Sequence, residues 1–415
     1  MENSIMKNFN SDSYIQNNPL NKIDKQYLIN HVQDKLNELI NSFLNGGFSS
    51  KGFIFYPLVK DISKDNKVKI KKLRKILYYL NNKDINFSKS IEKFEKIKKI
   101  NSKNFAILLS TIYEDFSSIK KNKTKTLVKR KCNKINFREY DKSDRKLIEP
   151  IKDLKTFAEK NLIEYISGFY LHGSFSTLDY IKGWSDLDTL IILKKSTINE
   201  PDKLSQLRDF LYKSRKFFYK IDPLQHHGHM IITQYDLEHY CPTYFPVEIF
   251  KYSKSFLEKE EINKIKVRDC KIENLNKFYW FVDYFRKLYL KRDYRMNSYH
   301  MKFFLHCITL FPTLYLEAKG IHVYKKHSFG IVKKDFKKDL WKPILTVEKI
   351  RQNWKPLKAL PFITQMAEIN PLLGYQINSR FFNISQINNI NTKYLIEEMY
   401  KTSKYAYIKI KEGLR

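Results

Sequence analysis

Asp186 and Asp188, in the run "SDLDTLIIL" at 185–193, are the side chains best placed by type and spacing to do chemistry. At positions i and i+2 of a strand both carboxylates project from one face, while Leu187 turns into the core. Two adjacent carboxylates repel each other unless a hard cation sits between them. Mg²⁺ (or Mn²⁺) suits such a pair, because it takes one or two carboxylates and completes its shell with water and substrate phosphate. Shortly upstream, Gly173-Ser174 follows the apolar "GFYL" and precedes "FSTLDY", a segment able to open a helix. Glycine admits close approach of a phosphate to the backbone, a helix start offers free N–H groups, and serine adds a hydroxyl. A metal pair beside a phosphate cradle points to a nucleoside triphosphate.

These residues need a sheet to hold them. The pattern predicts a helix over 151–166, a short strand over 168–173, a buried strand over 186–193, a helix over 203–218 and a strand over 227–236. Apolar positions recur at helical spacing from Asp24 to about Phe116, and again beyond Lys254, where Gly320 stands as a C-terminal stop for the apolar run before it. The expected organisation is a disordered tail (1–20), a helical N-terminal domain (21–117), a basic linker (118–150), a mixed α/β domain (151–253) and a helical C-terminal domain (254–415). The linker expectation rests on "KKNKTKTLVKRKCNK" at 120–134, which has eight Lys or Arg and no acid.

Taken together, "HGSFST" at 172–177 and "SDLDTLII" at 185–192 resemble the DNA polymerase β-like nucleotidyltransferases, nearest to the minimal and aminoglycoside types. The clear resemblance covers 150–250. It implies an α+β fold in which a small mixed β-sheet, the polymerase β-like palm, is flanked by helical N- and C-terminal regions. It further implies that Gly173 and Ser174 hold the triphosphate, that Asp186 and Asp188 hold catalytic metal, and that a nucleoside monophosphate passes to an acceptor hydroxyl with release of pyrophosphate. An Asp-X-Asp also occurs in glycosyltransferases, but there the apolar strand leads into the motif; here "TLIIL" leads out of it.

The resemblance also implies a third carboxylate on a later strand, serving as metal ligand or base. The candidates lie in "KIDPLQHHGHMIITQYDLEHY": Asp222 before the strand, His229 near its start and Asp236 after it, with His229 and Asp222 ranked ahead. On alternation, His227, His229 and Ile231 share a face. A histidine can act as a general base near neutral pH but is a weaker Mg²⁺ ligand than a carboxylate. In "VYKKHSFGIVKKDF", Lys325, Lys326 and Ser328 are candidate phosphate contacts.

The totals bear on partners. A formal net charge of +33 favours a polyanionic partner, although Lys, Ile and Asn are abundant along the whole chain. The expected partners are a nucleoside triphosphate and an unidentified acceptor: a small molecule by the resemblance, RNA by the charge. A nucleotide- or nucleic-acid-binding protein with a decayed site is the alternative from another class. Four scattered cysteines, a polar N-terminus without an apolar signal core, and the interruption of the most apolar segment by His306 and Pro312 lead to the expectation of a cytoplasmic protein that does not span a membrane.

Overall fold

The computed structural model describes residues 15, 18–46, 62–121, 126–257, 261–292, 294–357, 360–381 and 385–413. Most of the expected tail lies outside the described residues.

Helices α1 (Lys25–Asn45), α2 (Lys64–Asn81), α3 (Ser88–Lys96) and α4 (Ser102–Ser118) make up the N-terminal region. The side chains of Asp24, Ser63 and Asn101 accept the first free N–H groups of α1, α2 and α4. Then follow β1 (Thr126–Lys134), α5 (Arg145–Asn161), β2 (Ile166–His172), β3 (Asp188–Leu193), α6 (Pro201–Ile221) and β4 (Met230–Thr233). The sheet is completed by β5 (Lys254–Ser255) and β6 (Glu261–Val267). Helices α7 (Lys271–Lys291), α8 (Ser298–Ala318), α9 (Lys325–Val332), α10 (Lys338–Gln352) and α11 (Thr392–Gly413) are the main C-terminal elements. Helix α8 stops where anticipated, with Gly320 at φ +78°. No described helix is long and apolar enough to cross a membrane, and the four cysteines are buried free thiols.

Among the described residues the fold is α+β with one six-stranded mixed sheet, ordered β4-β3-β2-β5-β1-β6. Strand β2 runs antiparallel to β3, and β4 runs parallel to β3. Alternation sends the two faces of these strands into different cores. Phe169, Leu171, Ile191, Leu193 and Ile231 join the cluster built by the N-terminal helices, α5 and α6. Tyr170, Leu190, Ile192 and Ile232 face the opposite way, toward Cys132, Tyr240, Phe245, Phe250 and Ile265. A third cluster joins the C-terminal helices to Trp184 and Leu224. The N-terminal helices therefore share one core with the sheet.

Two expected boundaries differ from this arrangement. The basic segment read as a linker supplies β1, which pairs with β6 from Thr126↔Val267 to Cys132↔Glu261. Leu127, Lys129 and Lys131 are exposed while Cys132 is buried, so the lysines stay solvated as the strand pairs. The sheet also continues past residue 253, into β5 and β6.

Edge strand β4 is covered by α1. The Asn41 side-chain amide accepts from the Ile231 N–H (2.9 Å) and donates to the Ile231 carbonyl (2.7 Å), taking both backbone groups a further strand would use.

Candidate functional site

The antiparallel register sets His172 opposite Asp188, which brings the turn after β2 against the start of β3. Gly173 opens that turn at φ +70°, and a Cβ added there would lie 2.1 Å from Asp188 Oδ2. Both the backbone conformation and the space demand glycine. Ser174 Oγ donates to Ser185 Oγ (3.0 Å), which in turn accepts from the Ile181 N–H (2.9 Å). This chain of bonds pins the loop that delivers Asp186.

Asp186 precedes β3 and Asp188 is its first residue, so only the second lies on the strand as expected. What holds them convergent is Gln225, a fully buried side chain. Its Oε1 accepts from the Leu187 N–H (3.1 Å), and its Nε2 donates to the Leu187 carbonyl (2.8 Å) and to the His227 carbonyl (3.1 Å). One amide thus fixes the Asp-Leu-Asp segment and the histidine segment relative to each other.

His227 is the group that completes the pair. Its Nε2 lies 3.2 Å from Asp186 Oδ2 and 3.2 Å from Asp188 Oδ1. Burial disfavours the imidazolium, but its hydrogen bonds to the two carboxylates outweigh burial and lift the His227 pKa well above 6.5. Burial likewise opposes ionisation of Asp186; the bond to His227, with the fields of His306 and Lys302, holds its carboxyl well below the usual range instead. Ligand atoms of Asp186, Asp188 and His227 lie within 4.8 Å of one another, as do those of Asp186, His226 and His306.

The candidates ranked first for the third position lie elsewhere. His229 is buried in the core with both nitrogens engaged, Nδ1 by Thr189 Oγ1 and Nε2 by Ser214 Oγ, each at 2.8 Å. Its ring sits edge-on to Phe169 and Phe218, and burial pushes its pKa down to about 3. A core histidine with no free nitrogen can neither ligate a metal nor take a substrate proton. Asp222 is also buried; Lys302 Nζ donates to its Oδ2 (2.6 Å) and the Leu224 N–H to its Oδ1 (3.0 Å). It neutralises Lys302 and does not join the cluster. Asp236 is spent on Thr233 and Gln33.

Among the C-terminal candidates, Lys325 begins α9 and is half-buried. Burial, reinforced by Arg351, lowers its pKa to about 8, against the pull of Asp186 and Asp188. Arg351, which the sequence did not single out, lies 5.4 Å over the Trp184 ring and also feels Asp186. Lys326 points to the surface and pairs with Asp179 at 3.2 Å. Ser328 is not a phosphate contact: it is fully buried, accepts from Thr313 Oγ1 (3.1 Å) and donates to the Lys325 carbonyl (2.7 Å).

The arrangement is therefore a carboxylate pair with an imidazole above it, a glycine turn beside it, and the cations Lys325 and Arg351 from the C-terminal helices nearby. No family model, curated protein or solved structure matches the chain.

Proposed function

We propose that the protein is a metal-dependent nucleotidyltransferase that moves a nucleoside monophosphate from a triphosphate to an acceptor hydroxyl. The observation that carries this reading is the convergence of Asp186 and Asp188 against Gly173, where the missing side chain gives its space to a carboxylate. The antiparallel β2–β3 pair with β4 parallel to β3 supports a palm-like identity for the sheet.

The donor set fits a divalent ion. Two carboxylate oxygens already converge on the His227 nitrogen, which would give up its proton to a bound ion, and the cluster offers oxygen and nitrogen donors together. Asp186, Asp188 and His227 would hold the ion, which supplies Lewis-acid neutralisation of phosphate charge. Imidazole in place of a third carboxylate favours Mn²⁺ relative to Mg²⁺.

The remaining work falls to the chain. Gly173 lets the phosphates approach the backbone at the end of β2, and Ser174 braces that turn through Ser185. Lys325 and Arg351 offset phosphate charge from the side of α9 and α10. Asp188, more exposed than Asp186, is the carboxylate that an incoming acceptor would meet first. Such catalysis rests on positioning and charge, so Asp186→Asn should cost about 10²–10³-fold in rate.

A small molecule is the favoured acceptor. RNA is the second reading, on one specific observation: Lys129 stands directly opposite Lys264 on the exposed face of β1 and β6, with Lys266 beside it. Like charges paired across strands repel and gain from a polyanion laid over them.

The test is incubation with each α-labelled triphosphate and Mg²⁺ or Mn²⁺, with and without RNA or a cell extract. Label reaching an acceptor with the wild type, and not with Asp186→Asn/Asp188→Asn, supports the reading and identifies the acceptor class. Absence of any metal-dependent triphosphate binding by the wild type would overturn it.

A further inference from the structure

The loop between α6 and β4 carries a second histidine, His226, whose ring faces α8. There it meets His306, with ring centroids 4.9 Å apart. Both rings are fixed by aromatic contacts. His306 stacks on Trp184 at 4.8 Å and 13°, while His226 stands edge-on to Phe303 at 5.7 Å and to His227 at 5.0 Å. Stacking sets the ring planes but leaves the nitrogens unanswered. Among the described residues, His226 Nδ1 and His306 Nε2 are buried without a hydrogen-bond partner. Leaving a buried polar atom unpaired is costly, and two such atoms facing one carboxylate call for a ligand. The carboxylate is Asp186, with Oδ2 at 4.0 Å from His226 Nδ1.

We infer that Asp186, His226 and His306 form a second metal site, separate from the Asp186–Asp188–His227 cluster and sharing only Asp186 with it, that takes a divalent first-row transition ion. Ligand atoms of the three residues lie within 4.8 Å of one another. A tetrahedral ion with bonds of about 2.0–2.1 Å draws its donors to within roughly 3.4 Å of each other, so loading would bring the Asp186 carboxylate and the two rings closer together. Two imidazoles and one carboxylate select Zn²⁺, Co²⁺, Mn²⁺ or Fe²⁺ and reject Mg²⁺. The surroundings sharpen that choice. Lys302 and Arg351 lie 5.5 and 5.4 Å from the Trp184 ring, and Lys325 also acts on His226 and His306. Cations nearby oppose a second positive charge, so the bonds to nitrogen must carry the binding. Helix α8 and the 222–229 loop belong to different parts of the chain, so the bound ion would tie the C-terminal helices to the sheet.

Metal binding by these three residues is independent of nucleotide transfer and is tested with the ion alone. Protein stripped with chelator is titrated with Co²⁺, followed by visible absorption and calorimetry. Four forms are compared: the wild type, His226→Gln/His306→Gln, Asp188→Asn/His227→Gln and Asp186→Asn. The expected outcome is that Asp188→Asn/His227→Gln still binds one Co²⁺ that Zn²⁺ displaces and millimolar Mg²⁺ does not, while His226→Gln/His306→Gln loses that ion. Asp186→Asn should weaken both sites. Unchanged Co²⁺ binding by the two-histidine variant would overturn the site, as would loss of all binding from Asp188→Asn/His227→Gln. Should the histidine variant fail to fold, X-ray absorption of the Zn²⁺-loaded Asp188→Asn/His227→Gln protein decides: two imidazoles per zinc support the site, and fewer refute it.

Discussion

His227 bridges Asp186 and Asp188 from a position just ahead of β4, the strand parallel to β3, so that one imidazole nitrogen is equidistant, at 3.2 Å, from a carboxylate oxygen of each. It occupies the place where a third acid would complete a hard-ion site.

His227→Asp is therefore expected to move the metal preference toward Mg²⁺, since an all-carboxylate set suits the harder ion. Triphosphate binding measured against Mg²⁺ and Mn²⁺ concentration should show the wild type favouring Mn²⁺ and the variant losing that bias. An unchanged ratio would mean that His227 does not ligate.

Gly173→Ala should separate stability from binding. The methyl group must enter space held by the Asp188 carboxylate, at a backbone conformation costing about 1–2 kcal/mol for an L-residue. Thermal unfolding should show a modest loss, while metal-dependent triphosphate binding disappears. Retained binding would show that the turn does not meet phosphate.

Lys325 predicts a basic limb in the pH profile. Burial first, then Arg351, place its pKa at about 8, so the protonated form that attracts phosphate is present below that pH and is lost above it. Triphosphate affinity should fall as pH rises through about 8, and Lys325→Met should flatten that limb. Its effect on folding has the opposite sense: between about 8 and 10.5 the unfolded chain binds the extra proton, so this residue's contribution to stability rises with pH across that window. A variant with the wild-type profile would remove Lys325 from the site.

The buried Lys302–Asp222 pair offers a stability test beside the site. Lys302→Met leaves Asp222 charged and buried alone, a loss of about 3–5 kcal/mol, whereas Lys302→Met/Asp222→Leu should recover most of it. Denaturant unfolding of the two variants distinguishes these outcomes. Equal destabilisation of both would mean that packing, not charge, is at stake.

Much of this was readable along the chain. The apolar runs of β2, β3 and β4 and the helical periodicity of α6, α7 and α8 lie where the spacing placed them, as does the stop at Gly320. The run 126–134 was not readable as a strand, because lysine is a poor strand former and only pairing with β6 reveals that alternate positions turn inward. Alternation misplaces the histidines for a related reason: β4 starts at Met230, so the strand pattern does not extend back through His227 and His229. The first faces the carboxylates, while the second turns into the core. Gln225, His306 and Arg351 carry no local signal. Their roles arise when a loop and two distant helices close around Trp184.

The amide pairing of Asn41 with Ile231 has a practical consequence. A fragment cut to the stretch around the carboxylate pair, 151–253, would carry an open sheet edge and a bare apolar face of Phe169, Ile191 and Ile231. Aggregation in place of activity is what such a fragment should show. A fragment that keeps this edge and face covered starts at α1, so helices that contribute nothing to the carboxylate cluster are the ones that shield the sheet beneath it.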